Sequence, residues 1–146
     1  MAWSVEVLIS IIKEEAVLAL IPTLLALRLA QAESDLCPDR VTRYGPEPQQ
    51  VASGLFQLSQ EYEWALEDPL DPRQNARCGL THLRGLYERS GGNWVEALAS
   101  YTCGEDYVAD LHAKHGVEWF LYLPDSVKGY ISAILFQRGR EFQPGY

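Results

Sequence analysis

Glu33 closes the apolar run "IPTLLALRLAQAE". A carboxyl group there is expected to be drawn partly out of water and to meet the negative end of its own helix. Both effects disfavour the ionised form, and a neutral carboxyl is what a general acid needs near pH 7. The plainer alternative is a glutamate that turns to solvent at a helix end. His112 and His115 stand three residues apart, as two metal ligands can, but no third ligand follows at a known spacing, so surface histidines are expected. His82 stands alone. Cys37, Cys78 and Cys103 are odd in number and lack a CxxC spacing. That rules out a complete disulfide framework and argues against zinc; free buried thiols are expected, although one pair can form in an oxidising compartment. No glycine-rich phosphate loop and no Ser/His/Asp arrangement is recognisable, and no cofactor or metal is expected.

The elements that must position Glu33 can be read from periodicity. Residues 4 to 20 read as a helix with Val5, Leu8, Ile12 and Val17 among its buried candidates. Pro22 suits the first turn of a second helix, about residues 22 to 34, whose apolar character almost all round marks a central element. Ala26, Ala30 and Glu33 share one face of it. Residues 35 to 53 hold three prolines and a glycine and read as a long loop. A short helix is expected within "GLFQLSQEYEWAL". Asp71 caps a helix opening at Pro72, with Ala76, Leu80, Leu83 and Tyr87 on one face. Asn93 caps "WVEALASYTC", which Gly104 ends, and a further helix runs to about Lys114. "VEWFLYLP" reads as short strand or loop. The last helix, from about Asp125, carries the stripe Val127, Tyr130, Ile131, Ile134 and Leu135. The fold class expected is all-α or nearly so, in one domain over residues 1 to 146.

Composition narrows the partners. Of 146 residues, 47% are hydrophobic and 22% charged, which is globular rather than disordered composition. A net charge of −8 argues against nucleic acid and anionic membranes as partners and says little about a neutral sugar or peptide ligand. Ala30-Gln31-Ala32 has the look of a signal-peptide exit. Yet Glu6 is the first charge, Lys13, Glu14 and Glu15 interrupt the apolar run, and Arg28 lies inside the supposed core. Helices of the folded domain are therefore expected there, with no membrane span.

Five segments, "ESDLCPDRVTRYG", "SGLFQLS", "NARCGLTHL", "ALASYTCG" and "LPDSVKGYI", follow one another in this order. Together they resemble the successive motifs of the soluble lytic transglycosylase and goose-type lysozyme-like family, over about residues 15 to 136. In that family a helix ends in Glu-Ser, followed by an apolar residue and a proline; Glu33-Ser34, Leu36 and Cys37-Pro38 fit. Thr42 to Gly45 matches a Ser-x-x-Gly element, and Gly54-Leu55-Phe56-Gln57 stands for a Gly-Leu-Met-Gln motif. Asn75 and Gly79 fit an Asn-hydrophobic-x-x-Gly helix start, with Ala76 small for its place. Ala97 to Gly104 resembles Ala-Leu-x-x-Tyr-Asn-x-Gly, and Tyr130-Ile131 a closing Tyr-Val. The departures are Phe56 for Met, Thr102 for Asn, Val127 for Thr, and a longer loop between Pro46 and Gly54.

The resemblance implies a lysozyme-like fold with a central helix ending at Glu33 as the catalytic residue. It implies cleavage of the β-1,4 bond between N-acetylmuramic acid and N-acetylglucosamine in a peptidoglycan glycan strand. Glu33 acts first as acid on the leaving oxygen, then as base on the C6 hydroxyl, giving a 1,6-anhydro end. The substrate-binding candidates are Thr42, Phe56, Gln57, Tyr101, Thr102 and Tyr130. Phe56 is expected as an apolar wall, Gln57 and Thr102 as hydrogen-bonding groups, and Tyr130 as the residue orienting Glu33. A muramidase that hydrolyses the same bond is the alternative, and needs a second carboxylate about 5–9.5 Å from the first. Asp35 is too near in sequence to face the same way. Glu61, Glu63, Glu67 and Asp68 form an acidic cluster that reads as a solvated face and leaves that role open. A third alternative is a non-catalytic structural or wall-binding component with the same fold. Any of Trp3, Trp64, Trp94 and Trp119 can stack on a sugar, with core packing the default. Action at the wall from a phage virion is the favoured setting, with tail proteins as partners.

Overall fold

Ser4 starts the first helix: its Oγ accepts the Val7 N–H at 3.2 Å, and α1 runs Val5–Ala19. Its buried residues, Leu8, Ile11, Ile12, Glu15 and Ala16, recur every three or four positions and make one stripe. The helix ends in a left-handed residue, Leu20 at φ 61°. The Leu20 N–H reaches the Val17 carbonyl at 3.2 Å and the Ile21 N–H the Ala16 carbonyl at 2.9 Å. Those are the two bonds of a Schellman ending, completed by contact-ready Ile21 and Ala16, both buried. Pro22 then prevents continuation. In this computed structural model, residues 3–63 and 66–136 are described, and the chain divides into two compact units, one up to Thr81 and one from His82.

In the first unit α2 (Thr23–Ser34) packs against α1. Leu25, Ala26, Leu27, Leu29, Ala30 and Ser34 are buried, and Ala32 is the one exposed residue of the helix. Pro22 sits just outside this helix rather than in its first turn, its carbonyl accepting the Ala26 N–H at 3.0 Å. Val17 departs from expectation: it is 64% exposed, and the buried stripe of α1 passes through Glu15 instead.

The expected loop at residues 35 to 53 holds two strands. β1 (Val41–Arg43), β2 (Val51–Ser53) and β3 (Leu58–Ser59) form an antiparallel sheet in that order. Val41 pairs with Ser53, Thr42 with Ala52, Arg43 with Val51, and Ser53 with Leu58 on the other side. The strands have two or three residues each and β1 is exposed throughout, so no alternation of burial marks them in the sequence. Local bonds close the hairpin: Tyr44 N–H to the Gln50 carbonyl at 2.9 Å, and Glu47 N–H to Gln50 Oε1 at 3.0 Å. The helix expected within residues 54 to 66 begins only at Gln60, as α3 (Gln60–Glu63); Gly54 to Gln57 form a turn.

Asp71 caps α4 (Pro72–Arg89) as expected, its Oδ2 accepting the Gln74 N–H at 2.9 Å. Asn75, Ala76, Leu80, Leu83 and Leu86 are buried along it. The second unit then turns at Gly91 and Gly92, both at positive φ, and Asn93 Oδ1 caps α5 (Trp94–Cys103) through the Glu96 N–H at 3.1 Å. Gly104, at φ 93°, ends α5 and begins α6 (Glu105–His115). Arg89 grips Glu105 with two nitrogens at 3.0 Å each, and this holds the Glu105 carboxyl below its usual range. "VEWFLYLP" is neither strand nor loop: Gly116–Tyr122 is a 3₁₀ segment packed on α6. Trp119 stacks there on His112, and Tyr122 on His115 at 3.5 Å. α7 (Asp125–Leu135) packs against α5 and buries Ile131 and Ile134. The fold is therefore nearly all-α, as expected, with the small sheet confined to the first unit.

Glu15 is the one charged residue among those buried in the described part, at 2% exposure. Arg77 Nε meets its Oε1 at 2.9 Å and Arg73 Nη1 its Oε2 at 2.8 Å, while Arg73 also reaches Glu14 at 2.7 Å. The bond from Arg77 lowers the Glu15 carboxyl below its ordinary range, and burial opposes it without prevailing. Since the folded value is depressed, the stabilisation is present above the unfolded-chain value and is lost as pH falls through the folded one. Glu15→Gln is expected to cost about 2 kcal/mol at pH 7, because the charge is lost and one of the two acceptor oxygens becomes an amide donor facing a guanidinium group. Urea denaturation at descending pH checks this: the gap between variant and wild type closes in the acid range.

Candidate active site

Glu33 is the penultimate residue of α2 and is half-buried, with Ser34 the last residue of the helix and wholly buried. The chain leaves the helix through two successive left-handed residues, Asp35 at φ 54° and Leu36 at φ 59°. Such backbone is rare for residues with a Cβ and persists where surroundings enforce it. Here the Asp35 N–H is held by the Gln31 carbonyl at 2.9 Å, and Leu36 is buried at 5% exposure.

Ser34 carries the connection onward. Its Oγ lies 2.8 Å from the Leu55 carbonyl oxygen and 3.1 Å from that of Ala30. The first contact ties the end of α2 to the turn Gly54–Gln57. From the other side, Asn75 of α4 holds the same turn: Oδ1 accepts the Phe56 N–H at 2.8 Å, and Nδ2 donates to the carbonyls of Ser53 at 2.8 Å and Pro69 at 2.9 Å. Asn75 is wholly buried with three bonds made, as a carboxamide in a core must be. Gly54 is required beneath it. At φ +82° it occupies backbone that L side chains rarely adopt, and a Cβ there would lie 2.2 Å from Asn75 Nδ2.

Gln57 is a further left-handed residue, at φ 49°. Its Nε2 donates to the carbonyls of Arg40 at 3.1 Å and Gly54 at 3.0 Å, and its backbone N–H also reaches the Gly54 carbonyl at 3.1 Å. Both amide protons are thus spent on backbone, which leaves Oε1 as the side chain's acceptor. Phe56 is wholly buried. Its ring presents no surface where an apolar wall was expected, and its place is in the core beneath the turn. Thr42 stands exposed in the middle of β1, opposite Ala52.

The remaining candidates belong to the second unit. Tyr101 and Thr102 lie in the last turn of α5, the first half-buried with its ring 5.6 Å from that of His82, the second exposed. Tyr130 is half-buried on α7. The first unit thus brings together Glu33, Ser34, the Gly54–Gln57 turn and Asn75, while Tyr101 and Thr102 are carried by α5 and Tyr130 by α7 of the second unit. Glu61, Glu67 and Asp68 are exposed, and Asp68 caps the Leu70 N–H at 3.0 Å, as a solvated acidic segment would. The Glu63 side chain and Trp64 lie outside the described residues. Trp94 stacks on Tyr87 at 3.9 Å and Trp119 is 8% exposed, both in packing roles; Trp3 is 47% exposed.

The three cysteines are free and half-buried rather than fully enclosed, and burial raises the thiols of Cys78 and Cys103. Among the described residues no cluster of three or more His, Cys, Asp or Glu side chains is placed to hold a metal ion, and no helix is long and apolar enough to cross a membrane. Sequence reasoning passed over Ser34 and Asn75 as site residues. Asn75 did carry a signal, being a polar residue on the same helical face as Gly79 and Leu83.

Residues 10–118 match the family model described as the transglycosylase SLT domain. No curated protein shows significant sequence similarity to the chain. Among solved structures, the chain is similar to an inactive mutant of the lytic transglycosylase Slt from Pseudomonas aeruginosa, at 21% identity and a TM-score of 0.70. It is also similar to the 70 kDa soluble lytic transglycosylase from Escherichia coli, at 23% identity and a TM-score of 0.68. Each alignment covers 86% of this chain and 22% of the other, so the chain spans about a fifth of the length of those proteins.

Gly54→Ala is expected to cost about 3 kcal/mol, since it combines left-handed strain with displacement of a buried, fully bonded amide. Gly91→Ala, also at positive φ but with nothing within 4 Å of the added Cβ, is expected to cost about 1 kcal/mol. Chemical denaturation of the two variants side by side measures the difference.

Proposed function

Because the chain belongs to the transglycosylase SLT domain family, we propose that it cleaves the β-1,4 bond between N-acetylmuramic acid and N-acetylglucosamine in peptidoglycan, with Glu33 as acid and then base. The observation that carries this reading is the placement of Glu33, half-buried in the last turn of the central helix and anchored through Ser34 to the Gly54–Gln57 turn. One matched protein, from Pseudomonas aeruginosa, is an inactive mutant bearing glutamine in place of a glutamate, which agrees with a carboxyl group at the centre of the chemistry.

In the first step the Glu33 carboxyl gives its proton to the glycosidic oxygen as the C1–O bond breaks, and charge develops on the muramoyl ring. The carboxylate left behind faces that positive charge. It then removes the proton from the C6 hydroxyl of the same sugar, whose oxygen bonds to C1, closing a 1,6-anhydro ring and restoring the neutral carboxyl. The proton lost to the leaving sugar's oxygen is replaced by the one from the C6 hydroxyl, and no water enters. Gln57, with only an acceptor to offer, suits the N–H of an acetamido group. Thr42, Tyr101, Thr102 and Tyr130 complete the proposed binding set.

Digestion of purified murein sacculi tests the reading. Wild type is expected to release 1,6-anhydromuramoyl ends, and Glu33→Gln to lose activity by at least about 100-fold, the scale of general acid–base catalysis. Reducing muramic acid ends in place of anhydro ends assign hydrolysis instead. Equal turbidity loss from wild type and Glu33→Gln removes Glu33 from the mechanism and leaves a wall-binding component. A phage tail is the proposed carrier to the wall, and mass spectrometry of purified virions decides that by finding or missing the chain.

A further inference from the structure

The Leu55–Phe56 peptide unit is gripped at both poles. Its carbonyl oxygen accepts from Ser34 Oγ at 2.8 Å, and its N–H donates to Asn75 Oδ1 at 2.8 Å. Ser34 is bonded covalently to Glu33, and Phe56 to Gln57, so one peptide plane lies between the acid and the acceptor side chain. The Ser53–Gly54 plane, two before it, is held in the same manner: the Ser53 carbonyl accepts from Asn75 Nδ2 at 2.8 Å and the Gly54 N–H donates to the Arg40 carbonyl at 2.8 Å. Both side chains that do this are wholly buried. Neither offers an atom to a ligand, and both touch backbone that adjoins groups assigned to the ligand.

We infer that Ser34 and Asn75 are positioning residues: acting together on the Leu55–Phe56 peptide, they set the place of the Glu33 carboxyl relative to Gln57. The inference rests on the proposed role of Glu33 and deepens it. A bond broken at either pole frees the plane to rotate. Rotation carries Gln57 with it on one side and relaxes the last turn of α2 on the other. Ground-state binding is spread over many sugar contacts, whereas proton transfer tolerates little displacement of the acid. The loss therefore falls on kcat rather than KM. Because both residues act through one plane, removing the second after the first changes little more.

Ser34→Ala and Asn75→Ala are each expected to lower kcat on solubilised glycan strands by on the order of tenfold, with KM within about twofold. The double variant is expected to stay near the single ones, well short of the product of the two losses. Glu15→Gln is the control, since it removes buried ion pairs of the same unit without touching this peptide; its kcat is expected to match wild type below its melting transition. Independent losses that multiply, or a shared fall only in Tm with kcat unchanged, overturn the inference. Carbon NMR of the Glu33 carboxyl and nitrogen NMR of the Gln57 amide form a second arm that needs no turnover. Ser34→Ala is expected to move the Gln57 signals and Asn75→Ala the Glu33 signal, with Glu15→Gln moving neither. If wild type leaves sacculi intact, the proposed reaction fails while this arm still decides the coupling. If Asn75→Ala does not fold, Ser34→Ala alone decides it, and unmoved Gln57 signals refute the coupling.

Discussion

A buried carboxamide sets the geometry of the first unit. Asn75 brings one acceptor and two donor protons into a place without water, and all three find backbone partners on residues 53, 56 and 69. Those partners belong to β2, to the turn after it and to the segment leading into α4. The constraint is exacting because an unmade bond at such depth costs about as much as several ordinary surface contacts contribute. It explains why residue 54 is glycine, since a Cβ there would lie 2.2 Å from Asn75 Nδ2. Ser34 then attaches the helix bearing Glu33 to this framework. The candidate chemistry depends on Glu33, but the place of Glu33 is decided by two neutral side chains that never meet a ligand.

The helices were legible because each buries a face at a period the chain displays. α7 reads directly from Val127, Tyr130, Ile131, Ile134 and Leu135, and α4 from Asp71, Pro72 and the leucines that follow. The placement of Glu33 at the end of α2 was legible for the same reason. The sheet was not, because strands of two or three residues are too short to show alternation and Val41, Thr42 and Arg43 are all exposed. Glu15 was hidden too. A glutamate next to Glu14 reads as solvated, and the arginines that make its burial tolerable lie 58 and 62 residues away. Phe56 was misplaced because a large apolar residue in a turn fits a wall as well as a core, and depth is a property of the fold.

The departures from the family pattern take on physical content in this setting. Phe56 occupies a core position, where a change of residue alters packing before it alters recognition. Thr102 is exposed at the end of α5, where a hydroxyl replaces an amide without any buried partner to disappoint. The longer loop between Pro46 and Gly54 is taken up by the β1–β2 hairpin, whose tip is closed by Gln50 over Gly45. The lengthening thus falls in a self-contained hairpin, and the bonds of Asn75 and Ser34 are made beyond it.

The ion pairs of Glu15 also bear on the order in which the first unit assembles. Burying that carboxylate before its partners are present would strand a charge away from water. Closing the stripe of α1 over an ionised Glu15 therefore calls on Arg73 and Arg77 of α4. During synthesis, α1 and α2 leave the ribosome before those arginines. The ion pairs close loops of 58 and 62 residues, and their formation must offset that loop entropy. A charge placed in the core thus acts as a check on timing: the helix that presents Glu33 is locked only when the chain that carries Asn75 has been made.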